Sequence, residues 1–281
     1  MGYVSIVKGR IAGFAALRPF WREGVHREDG RFRFAVMDIV KQHFEEAARE
    51  YDRIIVALIP EYRQMAEALI AAVPFESSAP LRVMDVGCGT GMVAERFLQA
   101  FPNAQISCLD LSESMLAIAR ARLAGYPNVR YYVGDCAGFE FAEEFDAVVS
   151  SLALHHLATD QEKERFYRRI YNCLAPGGIF YNADLVRGSN DFLQNSYMER
   201  WQNFMKRNLA GDEAGNAWIT QHLTEDRPSK LIDQLQWMAE IGFADVEVVW
   251  KYYNFAVYGG VKPAGSSSRF SPGGSGSKLS V

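Results

Sequence analysis

The sequence predicts an α/β fold, a doubly wound and mostly parallel sheet of seven strands with helices on both faces. From Leu81 onward, short apolar runs alternate with longer segments of helical pattern, as expected of repeated βαβ units. Hydrophobic residues make up 49% and charged residues 23% of the 281 residues, a balance typical of soluble globular proteins. Glycines after the first apolar run fit a tight turn from a strand into a helix.

The alternation places five strands along the central part of the chain, over 81–86, 105–110, 129–133, 145–150 and 179–184. Helices are predicted from the glycine loop to about residue 101, and over 112–123, 159–174 and 228–241. The third of these is expected to end at Ala175-Pro-Gly-Gly178. The stretch 245–258 is long enough for two strands bent near Lys251, and such a hairpin adds an antiparallel strand to the sheet.

The two ends and one internal segment depart from this pattern. Residues 1–38 are predicted to be a basic extension, since residues 1–36 hold seven Lys/Arg against three Asp/Glu. Residues 39–261 are predicted to form one domain with a helical cover at 39–78 and a helical insertion at 188–226. The insertion is rich in aromatic residues and is our candidate substrate lid, although such residues also fit a core. Residues 262–281 are predicted to be disordered because they contain seven Ser, four Gly and two Pro.

Cysteine usage and charge limit the compartment and the partners. The four cysteines are widely spaced without a CxxC pair, which favours a reducing cytoplasm over a disulfide framework or a zinc site. No apolar stretch approaches the length of a membrane-spanning helix. The net charge of −4 disfavours nucleic acid as a partner. A homodimer is compatible with the sequence, which does not indicate the oligomeric state.

The glycine motif Val83-Met-Asp-Val-Gly-Cys-Gly-Thr-Gly91 predicts a nucleoside site. Its spacing is GxGxG, whereas nicotinamide dinucleotide sites use GxGxxG. Asp85 precedes the loop, Asp110 ends the second predicted strand and Asp135 follows the third. Three acids at successive strand ends favour an uncharged or cationic nucleoside over a phosphorylated one.

These segments, together with Cys108-Leu-Asp-Leu-Ser112, Phe145-Asp-Ala-Val-Val-Ser150 and Leu174-Ala-Pro-Gly-Gly178, resemble those of class I S-adenosylmethionine (SAM)-dependent methyltransferases. The resemblance covers roughly residues 41–258 and implies a Rossmann-like seven-stranded fold. The stretches Ile59-Pro-Glu-Tyr62 and Trp250-Lys-Tyr-Tyr-Asn-Phe255 are similar to the branch that contains carboxy-SAM synthase. The glycine motif differs from that of the synthase, so SAM itself is the expected cofactor.

The resemblance also implies a set of residues that bind SAM. The residues implied at the methionine end are Asp85, Gly87, Gly89 and Gly91. Those implied at the ribose and the adenine are Asp110, Leu111, Met115, Asp135 and Cys136. Ser151 and the segment to His156 are implied at the methyl-transfer crevice. Tyr51 is a candidate lid contact over the cofactor, with a core position as the alternative.

Two adjacent histidines, His155 and His156, follow the fourth predicted strand where an acceptor molecule should arrive. Either is a candidate base for an oxygen or nitrogen nucleophile, or orders the loop without transferring a proton. The pair lacks a third ligand at metal spacing, so no metal is expected. Asp184, at the end of the fifth predicted strand, is a weaker candidate for contact with the acceptor.

The predicted activity is methyl transfer from SAM, by in-line displacement, to an O, N or C atom of a small organic substrate. One alternative is a tRNA-modifying SAM-dependent enzyme, since the basic N-terminal extension could contact phosphates. The other is a SAM-binding protein without catalytic activity, because a fold and a cofactor site do not establish chemistry.

Overall fold

A computed structural model describes Lys41, residues 51–209 and residues 225–264. Outside these residues lie the predicted basic extension 1–38, most of the stretch 39–50 of the helical cover, Trp218 of the insertion and the tail from residue 265. None of the described helices is both long and apolar enough to cross a membrane.

The sheet contains seven strands in the order β3-β2-β1-β4-β5-β7-β6. The strands are β1 Arg82–Val86, β2 Gln105–Asp110, β3 Val129–Val133, β4 Phe145–Ser151, β5 Leu174–Leu185, β6 Ala244–Tyr252 and β7 Phe255–Val261. Strands β1 to β5 pair in parallel with one another, in the order β3-β2-β1-β4-β5. Strand β7 runs antiparallel to both β5 and β6, which confirms the predicted C-terminal hairpin.

Seven helices of eight or more residues are present among the described residues. They are α1 Tyr51–Leu58, α2 Tyr62–Ala71, α3 Met92–Ala100, α4 Glu113–Arg122, α5 Asp160–Cys173, α6 Asp191–Asn208 and α7 Leu231–Ile241. Side-chain caps fix several starts: Ser112 accepts from the Met115 amide at 3.1 Å, and Thr159 accepts from the Glu162 amide. Gly242 ends α7 in the left-handed region, where glycine has no steric penalty.

Apolar side chains cover both faces of the sheet, as its nearly continuous hydrophobic strands require. One core layer packs α1, α2, α3, α4 and α6 against the sheet and includes Met65, Phe97 and Met205. The other packs α5 and α7 against the opposite face and includes Phe166 and Met238. The carboxyl ends of the parallel strands are thereby held at one edge between the two layers.

Several element boundaries differ from the prediction, most clearly at the start of β5 and at the turn between β6 and β7. Helix α5 ends at Cys173, and Ala175-Pro-Gly-Gly178 belongs to β5. The glycines bond across the sheet, with Gly177 N to Lys262 O at 2.9 Å and Lys262 N to Gly178 O at 2.8 Å. The hairpin turns at residues 253–254, two residues beyond the predicted bend, with Tyr253 at a φ of 50°.

Candidate active site

The chain reverses its direction of strand addition between β1 and β4. Strands β2 and β3 are added on one side of β1, and β4 and β5 on the other. Open α/β sheets bind ligands in the crevice that such a reversal leaves at the carboxyl ends of the strands. A cavity lies there. It is lined by Tyr51, Gly87, Gly89, Leu109, Asp110, Leu111, Met115, Gly134, Asp135, Cys136, Ser151, Leu152, Ala153, His156 and Leu157.

The three glycines of the loop from Gly87 to Gly91 have different surroundings. A Cβ on Gly87, whose φ is +67°, would lie 2.2 Å from the Cβ of Ala153, so the loop packs directly on the chain beyond β4. A Cβ on Gly89, a residue that lines the cavity, would meet no atom within 4 Å. Gly91 packs instead against Ala119 of α4, with 3.2 Å from its ideal Cβ to that side chain. Gly91 therefore packs on α4 and is not among the residues that line the cavity, although it is predicted to face the methionine end of SAM.

Two of the predicted acids stand at the cavity. Asp110 accepts from the Gly89 amide at 2.8 Å and from the Ser112 amide at 2.9 Å. Asp135 accepts from the Ala137 amide at 2.9 Å. Backbone donors thus hold both carboxylates in place before any ligand arrives, and Asp110 ties the end of β2 to the glycine loop.

The third acid, Asp85, is 1% exposed and lies behind the loop without lining the cavity. Burial, and secondarily the negative charge of Asp110, raise its pKa from 3.8 to about 7. Among the described residues, no hydrogen bond of ordinary geometry reaches either carboxylate oxygen. An acid in this setting is suited to a cationic or hydrogen-bond-donating ligand group.

Helix α1 is fastened to the glycine loop at its first turn. Asp52 accepts from the Thr90 hydroxyl at 2.5 Å and pairs with Arg122 of α4. Arg122 also donates to the Thr90 carbonyl at 2.9 Å. This network places the neighbouring Tyr51 on the wall of the cavity, where burial raises the pKa of its hydroxyl far above the ordinary range.

The other residues expected at the nucleoside also lie at the cavity, namely Leu111, Met115 and Cys136. Met115 is 1% exposed and forms part of the apolar floor. Ser151 ends β4 beside the cavity, and Leu152 follows it with a φ of 52°, a left-handed conformation that is strained for a branched side chain. Of the predicted cofactor residues, Asp85 and Gly91 are the two that the cavity lining does not include.

The two histidines occupy different environments. His156 lines the cavity, whereas His155 is buried beside it and its Nδ1 lies 2.5 Å from Asp184 Oδ1. Asp226 lies close to both histidines, with its Oδ1 3.5 Å from His155 Nε2 and 3.3 Å from His156 Nδ1. The ring centroids of the two histidines are 4.1 Å apart.

The electrostatics separate the two histidines as candidate bases. Burial alone would lower the pKa of His155, but Asp184 and Asp226 outweigh it and raise the pKa to about 10. An imidazolium at neutral pH holds its proton and cannot accept another. Since His155 also lies outside the cavity lining, the prediction that it acts as the base is not supported by its position.

Hydrogen bonds fix the segment that carries Asp226. The Arg227 amide donates to the His155 carbonyl at 2.8 Å. The buried Lys163 ammonium donates to the carbonyls of Leu157 at 3.0 Å and Arg227 at 2.5 Å. Burial lowers the pKa of Lys163 to about 8. Asp226 could not be predicted from the sequence because it is remote from the histidine pair in the chain and belongs to no recognisable motif.

The described part of the insertion does not form a lid over the cavity. Trp201 of α6 is buried and donates from Nε1 to the Leu58 carbonyl of α1 at 2.7 Å. Its ring meets Phe255 of β7 edge to face, with centroids 5.4 Å apart. Tyr197 packs on Tyr253 at the hairpin turn. Helix α6 thus braces α1, and none of its residues lines the cavity.

Comparison with known proteins agrees with this architecture. Residues 83–178 match the family model described as a methyltransferase domain. Malonyl-[acyl-carrier protein] O-methyltransferase of Bacillus anthracis is 27% identical over 143 residues, 50% of either chain. The match thus spans about half the length of that relative. Carboxy-S-adenosyl-L-methionine synthase of Campylobacter fetus is 26% identical over 230 residues, 78% of this chain and 94% of the synthase.

Solved structures share the fold at lower sequence identity. The N-methyltransferase NodS of Bradyrhizobium japonicum, in complex with S-adenosyl-L-homocysteine (SAH), superposes with a TM-score of 0.57 and 16% identity, covering 79% of this chain and 98% of NodS. A putative methyltransferase in complex with the Haloferax volcanii Trm112 activator superposes with a TM-score of 0.60 and 17% identity, covering 80% and 97%.

Proposed function

Residues 83–178 form a methyltransferase domain of the class I SAM-dependent family, and we propose from this premise that the chain transfers a methyl group from SAM to a small organic acceptor. The acceptor atom is an O, N or C nucleophile, and the displacement at the methyl carbon is in line. The single observation that carries the proposal is the cavity at the reversal of strand order, which gathers Gly87, Gly89, Asp110 and Asp135.

The residues at this cavity fit SAM. The open space beside Gly89 leaves room for a ligand against the backbone, where a side chain would intrude. On this proposal, Asp110 accepts from the ribose hydroxyls and Asp135 from the adenine amine, while Leu111, Met115 and Cys136 offer apolar contact to the base. Asp85 behind the loop would stabilise the cationic methionine end through its charge. We also propose Tyr51 as a contact over the cofactor.

The reaction requires little of the protein beyond alignment of the acceptor with the methyl group of SAM. Bound SAM supplies a methyl group already activated on a sulfonium. The chain excludes water with Tyr51, Leu152 and Leu157 and holds the acceptor beyond Ser151. His156, which faces the cavity, is the histidine placed to contact the acceptor; His155 holds the loop through Asp184.

The compartment and partners that we propose follow the same reasoning. None of the four cysteines, all within the described residues, forms a disulfide. This fits a cytoplasmic enzyme. A small acceptor accords with the relatives whose names mention malonyl-[acyl-carrier protein] and carboxy-SAM, but neither name identifies the acceptor of this chain.

Calorimetric titration of the purified full chain with SAM, SAH and NADH tests the cofactor. We expect SAM and SAH to bind at the same site and NADH not to bind, because the GxGxG loop with its acids disfavours a pyrophosphate. Absence of SAM binding would refute the proposal.

Transfer of a labelled methyl group from SAM to a metabolite extract, and separately to total tRNA, tests the acceptor class. Labelling of a small molecule is the expected result. Labelling of tRNA alone would replace the small acceptor by RNA. SAM binding with no transfer to either would indicate a SAM-binding protein without catalytic activity.

A further inference from the structure

A three-residue cluster of nitrogen and oxygen donors includes His156, which lines the cavity. His155, His156 and Asp226 each offer one ligand atom, and these three atoms lie within 4.8 Å of one another. Asp226 Oδ1 is 3.5 Å from His155 Nε2 and 3.3 Å from His156 Nδ1. We propose that the three residues bind one divalent transition-metal ion.

The spacing of the donors matches a metal coordination sphere. Ligands at about 2.0–2.1 Å from a tetrahedral zinc ion are about 3.3 Å from each other. Both distances from Asp226 are close to this value, and the ligand atoms of the two histidines lie within 4.8 Å of each other. Two imidazoles and a carboxylate suit Zn²⁺, Fe²⁺, Mn²⁺ or Co²⁺, while Mg²⁺ and Ca²⁺ prefer oxygen ligands.

An independent feature is the carboxylate behind His155. Metal-bound histidines commonly donate their second ring nitrogen to a carboxylate, which fixes the tautomer and orients the ring. Here His155 Nδ1 lies 2.5 Å from Asp184 Oδ1 and leaves Nε2 directed at the cluster. Asp184 is itself fixed by the amides of His155 at 3.0 Å and Leu185 at 2.8 Å. His155 Nε2 is therefore directed at the cluster, and the incoming ion replaces the proton that this nitrogen carries in the metal-free chain.

The third ligand is also held before the ion binds. Lys163 and the His155 carbonyl fix the backbone at Arg227, next to Asp226. Ser229 adds a hydrogen bond to Asp160 at 2.5 Å. A site built from pre-positioned ligands loses little conformational entropy on binding an ion.

The position of the ion gives it a role in the proposed reaction, and this step rests on the proposed function. Three protein ligands leave coordination positions open. His156 belongs to the cavity wall, so an acceptor oxygen can occupy one of them. The ion lowers the pKa of that oxygen, whose proton passes to solvent. The oxygen then forms the bond to the methyl carbon as the C–S bond breaks and sulfur keeps the electron pair. His156 is on this account a ligand and not the base.

Metal titration of the full chain tests the site without any measurement of turnover. The protein, freed of affinity tag and dialysed against a chelator, is titrated with Co²⁺ while visible absorption is recorded, and with Zn²⁺ by calorimetry. We expect one ion per chain and no comparable binding of Mg²⁺. Asp226→Asn and His156→Gln should each abolish this binding, and Asp184→Asn should weaken it by about 10- to 100-fold. Asp191→Asn, at an exposed carboxylate on α6, is the matched control and should bind as the parent does.

Circular dichroism and SAM titration of each metal-free variant separate the outcomes. A folded Asp226→Asn that binds SAM but no Co²⁺ supports the site. Failure of the parent to bind Co²⁺ and Zn²⁺, or unchanged binding in both Asp226→Asn and His156→Gln, overturns it. Because SAM affinity is measured without metal, loss of the metal site and failure of the proposed cofactor are read from different titrations.

Discussion

The two ends of the cavity are built differently. At the proposed cofactor end, the glycine loop and the ends of β1, β2 and β3 follow one another along the chain, and backbone amides hold the acids Asp110 and Asp135. At the proposed acceptor end, His155 and His156 contact Asp184 from β5 and Asp226 from the segment before α7. The two carboxylates of the first end are thus held by backbone amides, whereas the two histidines of the second end are held by carboxylates from distant segments.

This difference predicts that substitutions at the two ends should have different effects. A substitution in the glycine loop alters the backbone itself and should affect both folding and the cofactor. A substitution in the acceptor end alters side-chain positions while the sheet stays intact, so it should change chemistry with little change in SAM affinity.

Substitution of Gly87 should have the largest effect on stability. Gly87→Ala forces a methyl group against Ala153 and places a side chain at a φ of +67°. The combined clash and strain should lower the free energy of unfolding by about 3 to 6 kcal/mol. Urea denaturation measures this loss.

Gly89→Ala is the matched comparison, because its Cβ would meet no protein atom within 4 Å. The left-handed conformation alone should cost about 1 kcal/mol, yet the methyl group enters the cavity and should weaken SAM binding strongly. Equal destabilisation by the two substitutions would contradict the separate tasks assigned to the two glycines.

Asp85 gives a prediction of pH dependence. Its pKa is about 7 in the folded chain against 3.8 as the ordinary value. The folded state therefore keeps a proton that the unfolded state loses, and stability falls as pH rises from about 4 to about 7. Asp85→Asn removes the cost of ionising this buried carboxyl. The free energy of unfolding of the variant should therefore exceed that of the parent by an amount that grows from about pH 4 to about pH 7 and reaches at most about 4 kcal/mol.

Urea denaturation of both proteins at pH 4 and pH 8 measures the effect. The same substitution should weaken SAM binding, because it removes the charge behind the loop. A stability difference that is independent of pH would show that Asp85 ionises normally in the folded chain.

Asp110→Ala should weaken SAM binding by about 1 to 3 kcal/mol, the loss expected for hydrogen bonds to a charged group. The variant also removes the acceptor of the Gly89 and Ser112 amides, so the thermal midpoint should be recorded with the calorimetric affinity. Asp191→Ala on the exposed face of α6 serves as the control. Unchanged affinity in Asp110→Ala would refute the proposed position of the ribose.

The sequence predicts those parts of the fold and of the candidate site that lie in consecutive segments of the chain. Strands β2 and β3 have the predicted limits, and the motif residues Gly87, Gly89, Asp110 and Asp135 meet at one cavity. The prediction from the motif does not extend to Gly91, which packs on α4, because a pattern of glycines does not say which one faces a ligand.

The remaining site residues could not be read from sequence because their neighbours come from remote segments. Nothing near His155 in the chain indicates that its partners are Asp184 and Asp226. Likewise Arg122 shows no local sign that it joins Asp52 of α1 to the carbonyl of Thr90. Such contacts depend on how helices pack on the sheet, which periodicity alone leaves undetermined.

Ser229→Ala should have the smallest effect and examines the acceptor end alone. It removes the hydrogen bond to Asp160 that helps hold the segment carrying Asp226. Because Asp160 is exposed, its carboxylate regains water, and the free energy of unfolding should fall by only about 1 kcal/mol. Methyl transfer should slow while the calorimetric SAM affinity stays the same. Gln236→Ala, at an exposed position of α7, should change neither quantity. If Ser229→Ala weakened SAM binding as much as turnover, the two ends of the cavity would be coupled, and the division between backbone-built and side-chain-built halves would not hold.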